Sequence, residues 1–173
     1  MEKLFWLDME MTGLDVEQEV PIEIAVIVTD KSLNELGSYH AVINQPSEYL
    51  DNMDEWNQTH HEASGLLAKI PNGKLPHTVE AELIDFVSRH FGEEKVILAG
   101  NTIGQDRLFI NKYFKRLADF LHYRQLDVTS WKLIFNNLYN IKFEKETNHR
   151  ALDDVRESIE ELKYYLQFIT PSR

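Results

Sequence analysis

Leu4-Phe5-Trp6-Leu7-Asp8-Met9-Glu10-Met11-Thr12-Gly13-Leu14 is an apolar run that ends in two carboxylates two residues apart, followed by a turn signal. In a β-strand residues i and i+2 point to the same face, so Asp8 and Glu10 are expected to project side by side. Adjacent carboxylates repel unless a proton or a cation lies between them. Hard divalent cations such as Mg²⁺ and Mn²⁺ take carboxylate oxygens and resolve that repulsion.

Outward from this stretch the chain reads first as strands. Leu4 to Glu10 is the first, Val20 to Thr29 the second and Leu36 to Ile43 the third, joined by short connections in an antiparallel meander. Asn44 to Pro76 reads as irregular, with prolines at 46, 71 and 76. Beyond it, Val79, Leu83, Phe86 and Val87 fall at helical spacing. Lys95 to Ala99 reads as a short buried strand ending in Gly100-Asn101, Gln105 to Lys115 as a helix, and Gln125 to Val128 as a strand. Thr129 is a candidate N-cap for a helix through Leu138. Leu152, Val155, Ile159, Leu162 and Leu166 form the apolar stripe of a final helix. Strands first, then alternating helices and strands, imply an α/β fold in which helices cover a mixed five-stranded sheet.

The 173 residues are the size of one ordinary domain, expected here to span 1–173, and 43% apolar composition suits a packed core. With no cysteine, disulfides, zinc–thiolate sites and Fe–S clusters are excluded. The N-terminal apolar run is too short for a signal peptide, and no stretch approaches the roughly 20 apolar residues of a membrane span, so a soluble cytoplasmic protein without membrane partners is expected. A formal net charge of −11 argues against a protein that grips long nucleic acid. It leaves room for a small anionic ligand whose charge is met locally, by bound cations for example.

Two further acids sit where a site would want them. Asp106 follows the strand-to-helix turn Gly100 to Gln105, and Asp154 lies in the first turns of the last helix. Such positions carry ligand sites in α/β proteins. If the segments converge, four carboxylates surround one point, and two divalent ions about 3.5–4 Å apart would make it a phosphoryl-transfer site. His149, five residues before Asp154, can accept a proton from an attacking water near neutral pH.

Asp8-x-Glu10-x-Thr12-Gly13-Leu14, Asp106 in its Gly-Asn-x-Ile-x-Gln-Asp-Arg setting and the run His149-Arg-Ala-Leu-Asp-Asp154-Val-Arg-Glu-Ser together resemble the DEDDh 3′-to-5′ exonucleases. Asp54-Glu55-Trp56-Asn57, Tyr123-Arg124-x-Leu126-Asp127-Val128 and Arg156 to Leu162 are similar, in order, to the oligoribonucleases among them. The resemblance covers nearly the whole chain. It implies an RNase H-like fold and a two-metal mechanism using Mg²⁺ or Mn²⁺. Asp8 would bridge both ions, Glu10 and Asp154 would complete the one that activates water, Asp106 would hold the second, and His149 would be the general base. The implied reaction removes 5′-mononucleotides from the 3′ end of very short RNAs, dinucleotides included.

The same resemblance implies that Leu14 wedges between bases and Trp56 stacks on one. Thr102, Arg124 and Thr129 would hold the 5′ phosphate, and Tyr123 would reach it from the other subunit of a homodimer. Capping that phosphate limits substrate length and lets an acidic protein bind RNA without a long basic groove. Trp131 and the stretch Asn136 to Thr147 depart from the family pattern.

Singly, each residue has a plainer reading. An Asp-x-Glu at a strand end is usually solvated, Asp106 alone would be an N-cap, Asp153 and Asp154 suit a helix dipole, and Trp56 would pack. His60 and His61, near Trp56, could line a substrate pocket. Two rivals remain at this level: a related DEDDh exonuclease of the ribonuclease T or proofreading type acting on longer single strands, and a nonhydrolytic binding module on the same fold. The shortage of basic surface opposes the first, and retention of four mutually repelling acids opposes the second.

Overall fold

The computed structural model describes residues 3–144 and 151–169. Three strands open the chain, β1 (Lys3–Met11), β2 (Pro21–Asp30) and β3 (Glu35–Val42). Two short helices follow, α1 (Ser47–Asp51) and α2 (Glu55–Ala63), then a 3₁₀ segment at Leu67–Asn72. The remainder alternates: α3 (Pro76–Phe91), β4 (Val96–Gly100), α4 (Gly104–Tyr113), α5 (Lys115–Ala118), β5 (Leu121–Asp127), α6 (Val128–Tyr139) and α7 (Ala151–Leu166). The stretch Asn44 to Pro76, expected to be irregular, is therefore largely helical. Its helices are short, and α2 buries only His61, so no apolar stripe announces it.

The sheet order is β3-β2-β1-β4-β5. The first three strands form the expected antiparallel meander, while β4 runs parallel to β1 and β5 parallel to β4. The strand parity of β1 decides what lies where. Phe5, Leu7 and Met9 point into a core shared with Val79, Leu83 and Phe86 of α3, Phe109 and Ile110 of α4 and Leu117 of α5. Leu4 and Trp6 point the other way, into a core shared with Ala25, Ile27, Ala99 and with Val155, Ile159 and Leu162 of α7. Asp8 and Glu10 continue the even series, so they emerge on the α7 face just past the end of that core. Burying an aliphatic side chain contributes about 1.5–3 kcal/mol. The buried trio on α7 therefore fixes the helix rotation that decides where Asp154 faces.

At the carboxyl end of β4 the chain must pass close to β1. A Cβ on Gly100 would lie 2.6 Å from the Leu7 carbonyl oxygen and 2.8 Å from Ile103 Cδ1. Only glycine lets β4 end beside Asp8 and turn into α4. Among the described residues, no helix is long and apolar enough to cross a membrane.

Candidate active site

Asp8 and Glu10 from β1 and Asp154 from the first turn of α7 each place one carboxylate oxygen within 4.8 Å of the others. The two β1 residues are brought there by strand alternation and the third by the α7 packing just described. All three are half-buried, so the cluster opens to solvent while losing much of its hydration. Glu10 registers the strain: its carboxyl is pushed up to about 8, chiefly by burial, then by the charges of Asp154, Glu23 and Asp106. A set of three acidic oxygens whose protonation is driven by their mutual crowding fits an oxygen-seeking divalent cation.

That shift has a stability consequence. Glu10 titrates near 8 in the folded protein against 4.5 for the unshifted carboxyl. Between these values the folded state binds more protons than the unfolded one, so metal-free stability falls as pH rises through this window. Glu10→Gln removes the titration. It is expected to raise the melting temperature of the metal-free protein at pH 8 by about 4–8 °C, equivalent to about 2 kcal/mol, and to leave it unchanged near pH 4.5. Thermal melts in chelator across this range check the prediction, and an equal shift at both ends would refute it.

Asp106 occupies a different position from the other three acids. It lies in the first turn of α4, almost fully buried, and its Oδ1 accepts a hydrogen bond from the Met9 backbone N–H at 3.0 Å. It is neither the N-cap, which is Ile103, nor a member of the close trio. Burial pushes its carboxyl up and nearby Asp127 acts in the same direction, against the hydrogen bond from Met9. Asp106 thus touches the strand backbone between Asp8 and Glu10 while its charge is felt by Glu10. His149 lies outside the described residues.

α2 borders the acids through His61. Its Nε2 lies 3.0 Å from the Met11 carbonyl oxygen, which only accepts, so Nε2 carries the proton. Nδ1 is then a bare lone pair, without a hydrogen-bond partner among the described residues and 3.9 Å from Glu10 Oε2. Burial pushes the imidazole below its ordinary value, which keeps it neutral. The sequence pairs His60 with His61 as possible pocket residues; their rings meet edge to face, centroids 5.7 Å apart, but turn to different neighbours. His60 stacks on Trp56, ring centroids 4.9 Å apart and planes 8° from parallel. Trp56 itself is 69% exposed and Leu14 75% exposed. The loop carrying Leu14 is tied to α4: Gln105 Nε2 donates to the Leu14 carbonyl at 2.6 Å, Lys112 Nζ to the Val16 carbonyl at 2.5 Å, and Tyr113 O–H to the Glu19 carbonyl at 2.6 Å.

Thr102 and Thr129 meet at the carboxyl ends of β4 and β5, their hydroxyl oxygens 3.1 Å apart. Thr129 is not the N-cap of α6. Asp127 takes that place, its carboxylate accepting from the Thr129 N–H at 2.9 Å and the Thr102 N–H at 3.0 Å. Both types are good caps, and the end of β5 at Asp127 decides between them. Arg124 lies over the ring of Tyr123, 5.3 Å from its centroid, and Tyr123 is 77% exposed. Trp131 packs beside the α7-face core and stacks with Phe135. Asn101, Asp127 and Glu161 were not singled out from the sequence, though all three hydrogen-bond around this second cluster. For Glu161 a signal existed: Asp154, Ser158, Glu161 and Tyr165 recur at helical spacing, a polar stripe beside the apolar one.

Comparison with known proteins gives a consistent result. The profile of the exonuclease family matches residues 5–162. The oligoribonuclease of Francisella tularensis subsp. tularensis (strain WY96-3418) is 43% identical over 171 residues, covering 96% of this chain and 95% of that protein. The oligoribonuclease of Coxiella burnetii is 45% identical over 170 residues, covering 95% and 92%. Among solved structures, E. coli exonuclease I in complex with a dT13 oligonucleotide superposes with a TM-score of 0.74 at 14% identity, over 97% of this chain and 41% of that one. This chain thus spans about two-fifths of exonuclease I, and the likeness shows a shared RNase H-like fold.

Proposed function

The chain belongs to the exonuclease family, and from that premise we propose that it is a cytoplasmic 3′-to-5′ exoribonuclease, one exonuclease domain over residues 1–173, that releases 5′-mononucleotides from short oligoribonucleotides and above all from dinucleotides. The observation that carries the chemistry is the convergence of Asp8, Glu10 and Asp154. These three would hold a divalent cation, Mg²⁺ or Mn²⁺, and Asp8 and Asp106 would hold a second. Two such ions supply charge neutralisation at the scissile phosphate and a water of lowered pKa.

The chain's own residues do the rest. His149 accepts the proton of the attacking water as the water oxygen adds to phosphorus. The bond from phosphorus to the 3′ oxygen of the preceding nucleotide breaks and that oxygen takes a proton from solvent water, leaving a 5′-mononucleotide and a free 3′ hydroxyl. One face of the Trp56 indole is backed by His60, which leaves the other face for the base of the departing nucleotide. Stacking of that kind is worth roughly 1–3 kcal/mol per base and tolerates any sequence. Leu14, on a loop braced by Gln105, wedges against the neighbouring base.

At the other end, Thr102, Thr129 and Arg124 receive the 5′ phosphate. Tyr123 contributes from the second subunit of a homodimer. The exposed side chains of Ile134, Leu138, Tyr139, Phe168 and Ile169 are apolar surface that such an assembly would cover.

A digestion series tests the reading. With Mg²⁺ or Mn²⁺ and 5′-phosphorylated RNAs of about two, four, seven and twenty nucleotides, the dinucleotide is expected to be consumed roughly 10-fold or more faster than the longest, one lost hydrogen bond to the 5′ phosphate setting the scale. Equal or faster cleavage of the longest strand would overturn the capped-end reading.

A further inference from the structure

We propose that Glu161, on the opposite side of α7 from solvent, is a positioning residue for the 5′-phosphate pocket; this rests on the reading of Thr102 and Thr129 given above. Glu161 is fully buried, seven residues beyond Asp154 and so about two turns along the same helix face. Burying a carboxylate is costly unless hydrogen bonds replace its water. Here Oε1 accepts from the Tyr165 hydroxyl at 3.0 Å and Oε2 from Asn101 Nδ2 at 3.1 Å. The same Asn101 amide group donates to Ser158 Oγ at 2.8 Å, and Ser158 Oγ donates to the Asp154 carbonyl at 2.9 Å.

The direction of these bonds propagates. As a carboxylate, Glu161 offers acceptors only, so the NH₂ of Asn101 must face it. The Asn101 carbonyl oxygen is thereby turned to Thr129, whose hydroxyl donates to it at 3.3 Å. With its one proton committed, Thr129 Oγ1 is the acceptor for the Thr102 backbone N–H at 2.9 Å. It is equally the acceptor for the Thr102 hydroxyl, 3.1 Å away. Thr102 gives its hydroxyl proton to Thr129 Oγ1, and of the two hydroxyls only this one can swing its proton to an arriving phosphate oxygen instead.

The loop needs such support. Thr102 has φ 50°, in the left-handed region. A β-branched residue is a rare occupant there and persists only when its surroundings over-determine it. The Thr102 N–H is shared between Asp127 Oδ1 and Thr129 Oγ1, and Thr129 is held in turn by the Asn101 carbonyl oxygen. Glu161 anchors the Asn101 end to the helix that carries Asp154, so the two ends of a short substrate are referenced to one rigid element.

The test compares 5′-phosphorylated with 5′-hydroxyl dinucleotides. Glu161→Gln keeps the side-chain volume but supplies a donor, so the Asn101 amide is free to reverse. Wild-type protein is expected to favour the phosphorylated substrate in kcat/KM. Glu161→Gln is expected to cut that preference about 10- to 100-fold, equivalent to one lost hydrogen bond to a charged group. The loss should lie in KM, with kcat and the 5′-hydroxyl kinetics within about twofold. Glu161→Ala should lose at least as much, and Tyr165→Phe, which leaves the Asn101 bond in place, should retain the preference. A purely structural role would slow both substrates alike. A wild-type preference that survives intact in Glu161→Gln overturns the inference alone. No preference in the wild type overturns the pocket reading, and this inference with it.

Discussion

Asp8→Asn is expected to abolish turnover, lowering kcat on a 5′-phosphorylated dinucleotide by roughly 10³-fold or more, with the fold intact. The magnitude follows from the role: cations at such a site contribute several kcal/mol of charge stabilisation, and about 4 kcal/mol corresponds to roughly 10³ in rate. Asp8 lies beside the ends of two elements, β1 on which it stands and α7 through Asp154. Asparagine is close to isosteric but removes the negative charge that draws a cation, and it relieves the repulsion felt by Glu10 and Asp154. The variant should therefore melt no lower than wild type in chelator, yet lose the rise in melting temperature that Mn²⁺ gives the wild type. Loss of activity together with loss of the metal-induced shift identifies a ligand. Near-normal turnover would refute the metal site altogether.

The even-numbered acids of β1 were readable in the sequence because strand alternation depends on parity alone. Leu4 and Trp6 fix which face Asp8 and Glu10 share, and the apolar stripe of α7 fixes which face Asp154 joins. Both periodicities are local, and the packing of α7 on the Leu4–Trp6 face is the one tertiary fact they needed. Asp106 did. Its position near the other acids was legible, but its separate seat under the Met9 N–H arises because α4 packs on the opposite sheet face. No local pattern reports which face a helix takes.

Other elements failed to register for different reasons. α2 has little apolar periodicity, because it is held by its Asp54 cap and by His61 on the Met11 carbonyl rather than by a greasy stripe. β5 begins at Leu121, four residues before the expected start, because its next four residues are half-buried or exposed at the sheet edge and show no alternation. Glu161 sits in the run Glu160-Glu161 that composition alone assigns to solvent, yet it is fully buried. A buried acid in such a run can be recognised only by its spacing from Asp154 and Tyr165.

His149→Ala should separate proton transfer from metal binding. His149 stands five residues before Asp154 in sequence, two ahead of the start of α7. General-base catalysis by a positioned histidine contributes typically 10²–10⁴-fold, so kcat is expected to fall by roughly that factor while KM for the dinucleotide changes little. The pH dependence is the sharper readout. An imidazole base must be neutral to accept a proton, so wild-type kcat should rise with pH through a limb set by the titration of this group. In His149→Ala that limb should vanish and activity should climb with hydroxide instead. The Mn²⁺-induced rise in melting temperature should survive, because Asp8, Glu10 and Asp154 remain. Asp8→Asn and His149→Ala thus fail in opposite ways, one without its cation and one with the cation bound but no proton acceptor. If His149→Ala kept full activity, or lost the metal-induced shift as Asp8→Asn does, the assignment of His149 as the base would be wrong.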